Sequence, residues 1–252
     1  MAVVRNIFVL YEEGLEALAP HIEETVDEIM SCFPEHQDDY PIKILGNWKN
    51  KEYKRVNEKG QEFLLPFESL DWYIARAKHR SKNEERFQKT GQISVNQLCE
   101  DLAADPYTKK IPQWSILITR HDLYATGLNY CLGISEENKF AIVSVARFID
   151  EDNKLDLENF KTVLMHEFGH LIGLTNKKRV NTEELLGAHC TNDGCIMQQR
   201  MNGDFTDLTK ARLKKKHLGK PPICDDCIRE GRKFFVRQKL AYNLIQEGEL
   251  SR

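Results

Sequence analysis

The residues best suited to chemistry lie in one short stretch, His166-Glu167-Phe168-Gly169-His170. Histidines four positions apart face the same side of a helix, so both imidazoles can reach one metal ion. Glu167 would then lie beside the ion, where its carboxylate can hold a water molecule and accept its proton. Residues 157–165 carry apolar side chains at helical spacing, which predicts a half-buried helix around the motif. The pattern predicts hydrolysis assisted by a bound metal ion.

Four of the seven cysteines form two pairs in the sequence, Cys190 with Cys195 and Cys224 with Cys227. A C-x-x-C pair suits tetrahedral zinc, and the slightly wider C-x4-C pair is also workable. We expect reduced thiols because no secretory signal is visible, so clustered cysteines are better explained as metal ligands than as disulfides. The four thiolates therefore predict a closed structural zinc site. The other cysteines stand singly in apolar surroundings and are predicted to be buried packing residues: Cys32, Cys99 and Cys131.

Length and composition indicate a globular chain, because 252 residues that are 41% hydrophobic and 30% charged can bury a substantial core. The formal net charge of −3 argues against nonspecific binding of nucleic acid. The basic cluster at residues 214–217 is interpreted as a solvated helix face. No apolar stretch reaches membrane-spanning length, and the amino terminus lacks the features of a secretory signal. We therefore expect a cytoplasmic protein that binds neither nucleic acid nor a membrane.

The spacing of apolar residues predicts an α/β fold that positions the motif. A strand over residues 3–11, a helix over 15–30 and a strand over 40–45 suggest a parallel pair joined by a crossover. The continuous apolar run at 114–119 is typical of a buried central strand.

A hairpin is predicted just before the motif. Residues 123–133 and 140–148 flank a polar turn, and the first of these arms is the better candidate for an exposed edge strand. Additional helices are predicted over residues 92–102, 208–218 and 228–245, and no role is assigned to residues 47–86.

Together these motifs resemble the archaemetzincins, a branch of the metzincin zinc peptidases. That family joins H-E-x-x-H-x-x-G-x-x-H-C to C-x-M and a later C-x-x-C. The matching residues here are His166, Glu167, His170, Gly173, His189, Cys190, Cys195, Met197, Cys224 and Cys227. Residues 116–124 and 127–130 are similar to the family's central strand and the hairpin that follows it.

The resemblance implies a metzincin-like α/β (α+β) fold. Its parts are a twisted mixed sheet with an antiparallel edge strand, an active-site helix beneath that strand, and a small zinc-stabilised carboxyl-terminal subdomain. Gly173 is placed to end the helix, because glycine accepts the left-handed conformation at a helix carboxyl terminus. We expect one metallopeptidase domain over residues 1–252. Residues 1–173 hold the sheet and helix, and 174–252 hold the third histidine, the methionine turn and the four-cysteine site.

The resemblance also implies two zinc ions and a role for each matching residue. The catalytic zinc keeps its fourth position for water, whose proton Glu167 accepts as general base and passes to the leaving amine. Met197 forms a turn beneath this ion as packing support. The edge strand binds a peptide or protein substrate by strand addition, at Asn129, Tyr130, Cys131, Leu132 and Gly133. The ligands are His166, His170 and His189 for the catalytic zinc, and Cys190, Cys195, Cys224 and Cys227 for the structural zinc.

The third histidine departs from the family pattern. Asn176 lies where the family places that histidine, and His189 comes sixteen residues after Gly173. Zinc selects nitrogen, sulfur and carboxylate donors over a neutral amide, so we predict His189 as the third ligand, with residues 175–188 looped away. Residues 181–186 are predicted to form a short capped helical turn that returns the chain. The alternative is a two-histidine site completed by Glu183, Glu184 or water.

Two other classes of protein compete with the enzyme. A noncatalytic, zinc-stabilised interaction module built on the metzincin fold would not need Glu167, so the presence of that residue favours the enzyme. A four-cysteine zinc ribbon that binds nucleic acid is disfavoured by the acidic net charge. Ordinary helix histidines and buried thiols do not account for the joint occurrence of these motifs with Gly173, His189 and Met197.

Overall fold

The structure, a computed structural model, describes residues 3–47, 54–56, 62–64, 70–104, 113–184, 186–200 and 203–247. Within them the strands are β1 (Asn6–Tyr11), β2 (Ile42–Ile44), β3 (Lys54–Val56), β4 (Glu62–Leu64), β5 (Ile93–Ser94), β6 (Gln113–Thr119), β7 (Leu123–Tyr124), β8 (Gly133–Glu136), β9 (Phe140–Ser144), β10 (Thr182–Glu184) and β11 (Ala188–Cys190). The α-helices are α1 (Ala19–Met30), α2 (Leu70–Ser81), α3 (Glu85–Thr90), α4 (Val95–Ala104), α5 (Leu157–Leu171), α6 (Thr206–His217) and α7 (Asp225–Gln246).

A five-stranded mixed sheet forms the centre of the molecule, in the order β2-β1-β6-β9-β8. β1 pairs in parallel with β2 and β6, and β6 pairs in parallel with β9. β8 runs antiparallel to β9 and ends the sheet. Every residue of β6 is buried, as expected for a central parallel strand with a continuous apolar sequence. The predicted mixed sheet with an antiparallel edge strand is confirmed.

Helices cover both faces of this sheet because side chains alternate between the faces along each strand. On one face, Ile116 and Ile118 of β6 join a core with residues of α1 and α5. On the other face, Leu117 joins a second core with residues of α2 and α4. The helix that carries the H-E-x-x-H motif, α5, packs against β8 and β9. It therefore lies directly below the edge of the sheet.

Helix α2 falls in the stretch of sequence to which no role was assigned. Its residues Leu70, Tyr73, Ile74 and Ala77 are buried in the second core. These apolar positions have helical spacing, so the sequence does indicate a helix. The pattern is weak because it occupies only one helix face and polar and basic residues surround it. Much of the remaining stretch, including residues 65–69, lies outside the described residues.

The hairpin before α5 differs from the predicted one. β7 pairs in parallel with β5 and takes no place at the edge of the central sheet. Gly127 has a φ of 82°, and the turn there separates β7 from the rest of the predicted first arm. The strand that pairs with β9 starts at Gly133 and continues to Glu136, within the predicted turn. The prediction that residues 123–133 form the edge strand was therefore wrong, and the edge is β8.

The segment between the second and third histidines contains a β-hairpin and not the predicted helical turn. β10 pairs antiparallel with β11, with Glu183 opposite His189. Leu186 and Gly187 have φ values of 53° and 118°, and such positive values suit a tight hairpin turn. Cross-strand pairing satisfies backbone groups that an isolated helical turn leaves open. The hairpin returns the chain towards α5 with His189 on its second strand.

Helix α7 starts directly after Cys224, earlier than the predicted start at residue 228. The ring centroid of Phe235 lies 5.1 Å from that of Phe33, and the centroid of Phe234 lies 5.6 Å from that of Trp114. The carboxyl-terminal helix thus packs into the core of the central sheet. The division into two subdomains stays a prediction. Among the described helices, none combines the length and apolar character that a membrane span requires.

Candidate active site

Helix α5 presents the two histidines of the motif on one face. It begins at Asp156, whose side chain accepts a hydrogen bond from the backbone N–H of Asn159 at 3.2 Å. The helix ends at Leu171, and Gly173 just beyond it has a φ of 63° and donates its N–H to the carbonyl of His170. This ending lets the chain turn away from the metal-facing side of the helix.

Three imidazoles converge at one point. Nε2 of His170 lies 3.1 Å from Nε2 of His166 and 3.2 Å from Nε2 of His189. The ring centroids of His166 and His189 are 5.2 Å apart. The hairpin of β10 and β11 therefore brings His189, which is nineteen residues after His170, to the face of α5 that carries the other two histidines.

The outer ring nitrogens of these histidines have their own partners. Nδ1 of His166 donates to the carbonyl of Ile196 at 2.7 Å, and Nδ1 of His189 donates to the carbonyl of Gly187 at 3.1 Å. Nδ1 of His170 lies 3.2 Å from the hydroxyl of Thr175. Protons held on Nδ1 leave the Nε2 lone pairs of His166 and His189 facing inward, where nitrogens cannot hydrogen-bond each other. A cation bound between these lone pairs would remove their mutual repulsion, so the histidines fit a metal ion.

The electrostatics of the site agree with neutral imidazoles. Burial, together with the nearby His189, lowers the pKa of His166 to about 4. Burial and the two neighbouring histidines also lower the pKa of His170 well below its ordinary value. A neutral imidazole is the form that binds metal ions.

Glu167 is held between α5 and the edge strand. Its Oε2 accepts a hydrogen bond from the hydroxyl of Ser135 at 2.8 Å. A Cβ added at Gly133 would lie 2.6 Å from Cγ of Glu167, so the strand can approach the carboxylate only with glycine at this position. Burial raises the pKa of Glu167 to about 7, and the hydrogen bond from Ser135 opposes this shift. Ser135 was missed by the motif analysis because nothing local marks it.

Met197 packs beneath the active helix. It is fully buried, and a Cβ added at Gly169 would lie 2.3 Å from its sulfur. The carbonyl of Met197 accepts a hydrogen bond from the N–H of Cys190 at 2.8 Å, and Ile196 contacts His166 through its carbonyl. These contacts thus fix the distance between this segment and α5, and the orientation of the His166 ring. The role of Met197 as support beneath a metal ion stays a prediction.

The four clustered cysteines meet behind the histidines. The Sγ atoms of Cys190 and Cys224 are 3.7 Å apart, as are those of Cys195 and Cys227. Four thiolates bound tetrahedrally to zinc at about 2.3 Å have sulfur separations of roughly 3.8 Å. All four cysteines are free of disulfides. Their geometry therefore fits a tetrahedral metal site.

Polar groups surround these thiols. The side-chain amide of Asn192 donates to Sγ of Cys224 at 3.1 Å, and the guanidinium of Arg179 donates to Sγ of Cys227 at 3.4 Å. Arg179 belongs to the insertion that precedes β10, and it also contacts the hydroxyl of Thr182 at 3.1 Å. Such donors stabilise negatively charged sulfur.

A cleft of about 880 Å³ runs between the edge strand and α5. The three histidines and Glu167 lie in its floor. The residues predicted to bind substrate line its upper side, although all except Gly133 precede β8: Asn129, Tyr130, Cys131, Leu132 and Gly133. Asn176, at the position the family gives to its third histidine, lines the cleft too, and its side chain accepts a hydrogen bond from the N–H of Lys178 at 2.9 Å.

A mixed sheet with an antiparallel edge strand, above a helix that carries an H-E-x-x-H motif, defines the metzincin-like class of proteins. The family model for peptidase family M54 matches residues 74–232, and the chain belongs to that family. The predicted resemblance to archaemetzincins is thereby confirmed.

Relatives of known name agree with this membership. The archaemetzincin of Methanopyrus kandleri is 38% identical over 81 residues, which are 32% of this chain and 39% of the relative. The archaemetzincin of Thermococcus kodakarensis is 33% identical over 98 residues, 36% of this chain and 46% of the relative. The chain thus spans less than half the length of each of these two relatives. The crystal structure of the Methanopyrus kandleri archaemetzincin has the same fold, with a TM-score of 0.51, 21% identity and coverage of 91% of this chain and 94% of that one.

Proposed function

We propose that the protein is a zinc-dependent peptidase in which Glu167 is the general base. The observation that carries this proposal is the convergence of three imidazole Nε2 atoms on the floor of a cleft that also contains the buried Glu167 carboxylate. An interaction module needs no such carboxylate beside its metal, because the carboxylate adds nothing to zinc binding. Family membership supports the same conclusion.

The proposed ligands of the catalytic zinc are His166, His170 and His189. The distance of 3.2 Å between Nε2 of His170 and Nε2 of His189 supports the third of these. Two of the alternative donors have other partners. Asn176 caps its own turn, and the carboxylate of Glu184 is paired with Lys177.

When bound, zinc would supply a Lewis acid that polarises the scissile carbonyl and activates a water molecule. The Glu167 carboxylate accepts the proton of the attacking water and passes it to the leaving amine. Ser135 orients one carboxylate oxygen, which leaves the other free for the proton. The burial of Glu167 keeps bulk water from competing for these hydrogen bonds.

The outer edge of β8 is the proposed site for the substrate backbone. β8 ends the order of the central sheet, so its outward N–H and C=O groups can pair with an extended peptide. Main-chain pairing gives affinity without demanding a particular sequence. The substrate class proposed is therefore a peptide or an extended segment of a protein.

A second zinc is proposed at the four cysteines, with a structural role. The sulfur separations near 3.7 Å support this site. A closed site of four thiolates has no open position for water and contributes folding free energy. The two proposed zinc ions thus differ in function.

A cleavage assay on the purified, zinc-loaded chain with a peptide library tests the proposed function, with Glu167→Gln as the matched control. The parent should cleave peptides, and a chelator should abolish cleavage until zinc is restored. Glu167→Gln should keep its zinc and its fold but lose about 10²- to 10⁴-fold in kcat, because it removes the proton acceptor without removing a ligand. Equal rates for parent and variant would exclude Glu167 as the base, and peptide binding without cleavage by the parent would favour the interaction module.

A further inference from the structure

Apart from the histidines, six charged side chains among the described residues line the cleft, and three of them have partners. Lys177 is paired with Glu184, Glu136 with Lys139, and Glu167 accepts a hydrogen bond from Ser135. Arg200 differs from these residues. Its Nε atom is buried without a hydrogen-bond partner, and among the described residues its guanidinium has only a coulombic interaction with the exposed Asp204 carboxylate.

Arg200 lines the same cleft as the candidate metal site. Arg200 is four residues after Ile196, so the Cα atoms of these two residues are at most roughly 14 Å apart. The carbonyl of Ile196 contacts His166. The carbonyl of Arg200 accepts a hydrogen bond from the N–H of Gly203 at 3.2 Å, and Gly203 packs against the hydroxyl of Tyr130. Arg200 is therefore held at the end of the cleft that contains Tyr130.

The cleft that Arg200 lines contains apolar side chains beside its polar ones. Val163 and Phe205 line the cleft, and the ring of Phe205 lies 5.6 Å from that of His166. The exposed Asp204 attracts Arg200 electrostatically, but the hydrogen bond that its carboxylate accepts comes from the N–H of Thr206, at 2.9 Å. Among the described residues, Arg237 is the other cation of the cleft without an ion pair. It lies one helical turn beyond Phe234, and Phe234 packs at Gly173, near the end of the cleft opposite to Tyr130.

A buried N–H of a cation gains much from an acceptor. Leaving such a donor unsatisfied costs about 1–3 kcal/mol, and a guanidinium matches a carboxylate with two parallel hydrogen bonds. Apolar walls strengthen the pair because they reduce its contact with water. Nε itself is closed to solvent, so a substrate carboxylate would pair with the terminal N–H groups of the guanidinium.

We infer that Arg200 determines specificity, by selecting peptides that carry a carboxylate within about two residues of the scissile bond. The inference rests on the proposed peptidase function. An extended peptide advances about 3.3 Å per residue, so the reach of the arginine side chain covers one or two positions. The carboxylate belongs either to an acidic side chain or to the carboxyl terminus of the peptide, and both present the same chemistry.

Positional-scanning peptides test this inference, with kcat/KM measured for the parent, Arg200→Ala, Arg200→Glu and the matched control Arg237→Ala. The parent should prefer aspartate or glutamate over asparagine or glutamine at one position by on the order of tenfold or more. Arg200→Ala should lose this preference and keep its rate on neutral peptides within roughly threefold. Arg200→Glu should prefer lysine there, whereas Arg237→Ala should behave as the parent. Paired peptides with free and amidated carboxyl termini distinguish the two sources of the carboxylate.

Failure of the inference differs from failure of the proposed function. Cleavage of neutral peptides by the parent with no acidic preference, or a preference that survives Arg200→Ala, overturns the inference and leaves the peptidase function intact. No cleavage of any peptide by the zinc-loaded parent overturns the function. Binding of the library's acidic peptides to the Glu167→Gln variant, measured by fluorescence anisotropy, tests Arg200 without catalysis. Loss of that binding in Glu167→Gln/Arg200→Ala supports the inference, and its retention contradicts it.

Discussion

Two glycines allow the side chains of the site to approach one another. Gly133 lets the edge strand reach the carboxylate of Glu167, and Gly169 leaves room for the sulfur of Met197 under the helix. Neither glycine has a positive φ, so their role is steric and depends on what packs against them. At the scale of single residues, the site depends on the lack of a side chain at these two glycines as well as on its reactive groups.

Replacing Gly133 with alanine should impair the proposed general base. The new Cβ would lie 2.6 Å from Cγ of Glu167, so the strand or the carboxylate must move. Small displacements of catalytic groups cost up to about 10²-fold in rate, and we expect kcat to fall by roughly tenfold or more. Zinc content should change little. A Gly133→Ala enzyme with the parent's kcat would show that the carboxylate tolerates a shifted strand.

Replacing the proposed third ligand should separate His189 from Asn176. His189→Ala should weaken catalytic zinc binding by more than the roughly 10- to 100-fold that loss of a supporting partner costs. Asn176→Ala should change it little, because the amide bonds to Lys178 and not to the histidine cluster. Competition titrations with a chromophoric chelator measure both affinities. The reverse order of effects would disprove the assignment of His189.

At the scale of elements, the ends of strands β1 and β6 are joined by a buried carboxylate. Oε2 of Glu12 accepts the hydroxyl of Thr119 and the N–H of Arg120, each at 2.6 Å, and Oε1 lies 3.1 Å from Nε2 of His121. Burial alone would raise the pKa of Glu12, but the hydrogen bonds from these three residues outweigh it and lower the pKa. This network anchors the two strands on which the sheet is built.

The Glu12 network predicts a specific acid sensitivity. A carboxyl group whose pKa is lowered by folding stabilises the protein above its unfolded pKa of about 4.3, and this contribution disappears as the pH falls through the folded pKa. Glu12→Gln should therefore cost about 1–3 kcal/mol of unfolding free energy at pH 7. The difference in unfolding free energy between parent and variant should shrink between pH 5 and 3, because the parent loses the stability that the ionised Glu12 carboxylate contributes. Urea unfolding at several pH values measures it, and a difference independent of pH would contradict the argument.

The inserted hairpin of β10 and β11 is the second element that the site depends on. It carries His189 towards α5, and Arg179 connects it to the cysteine cluster. Because Cys190 follows His189 directly, the two proposed metal sites share one strand. Order at the cysteines therefore helps to position the third histidine.

For the molecule as a whole, the cysteine cluster joins the chain after α5 to α7, whose Phe234 and Phe235 pack in the core beside Trp114. Loss of the cluster would loosen this connection. His166 and His170, in contrast, lie on a helix that packing against the sheet already holds. The two proposed zinc ions should thus affect stability to different degrees.

Cys224→Ser should lower the melting temperature by on the order of 10 °C and reduce the zinc content from two ions to one. His166→Ala should also lose one zinc but abolish cleavage with a smaller loss of stability. Elemental analysis and calorimetry of both variants, after expression with sufficient zinc, compare the two sites. One zinc or none per folded parent chain would contradict the two-ion proposal.

The sequence by itself determined the features that are encoded over a few residues. The i, i+4 spacing of His166 and His170, the helix end just before Gly173 and the apolar run of β6 each depend on local periodicity or on the conformation of one residue. The resemblance to archaemetzincins rests on the same short motifs, and it was sufficient to predict the mixed sheet and its antiparallel edge.

Only the tertiary structure decided which distant residues meet. The shift of the edge strand to β8, the hairpin that delivers His189 and the hydrogen bond from Ser135 to Glu167 join residues that are far apart in sequence. Arg200 belongs to the same group, because neither its type nor its neighbours mark it in the sequence. Such contacts depend on how the whole chain packs, and side-chain periodicity carries no information about partners beyond its own element.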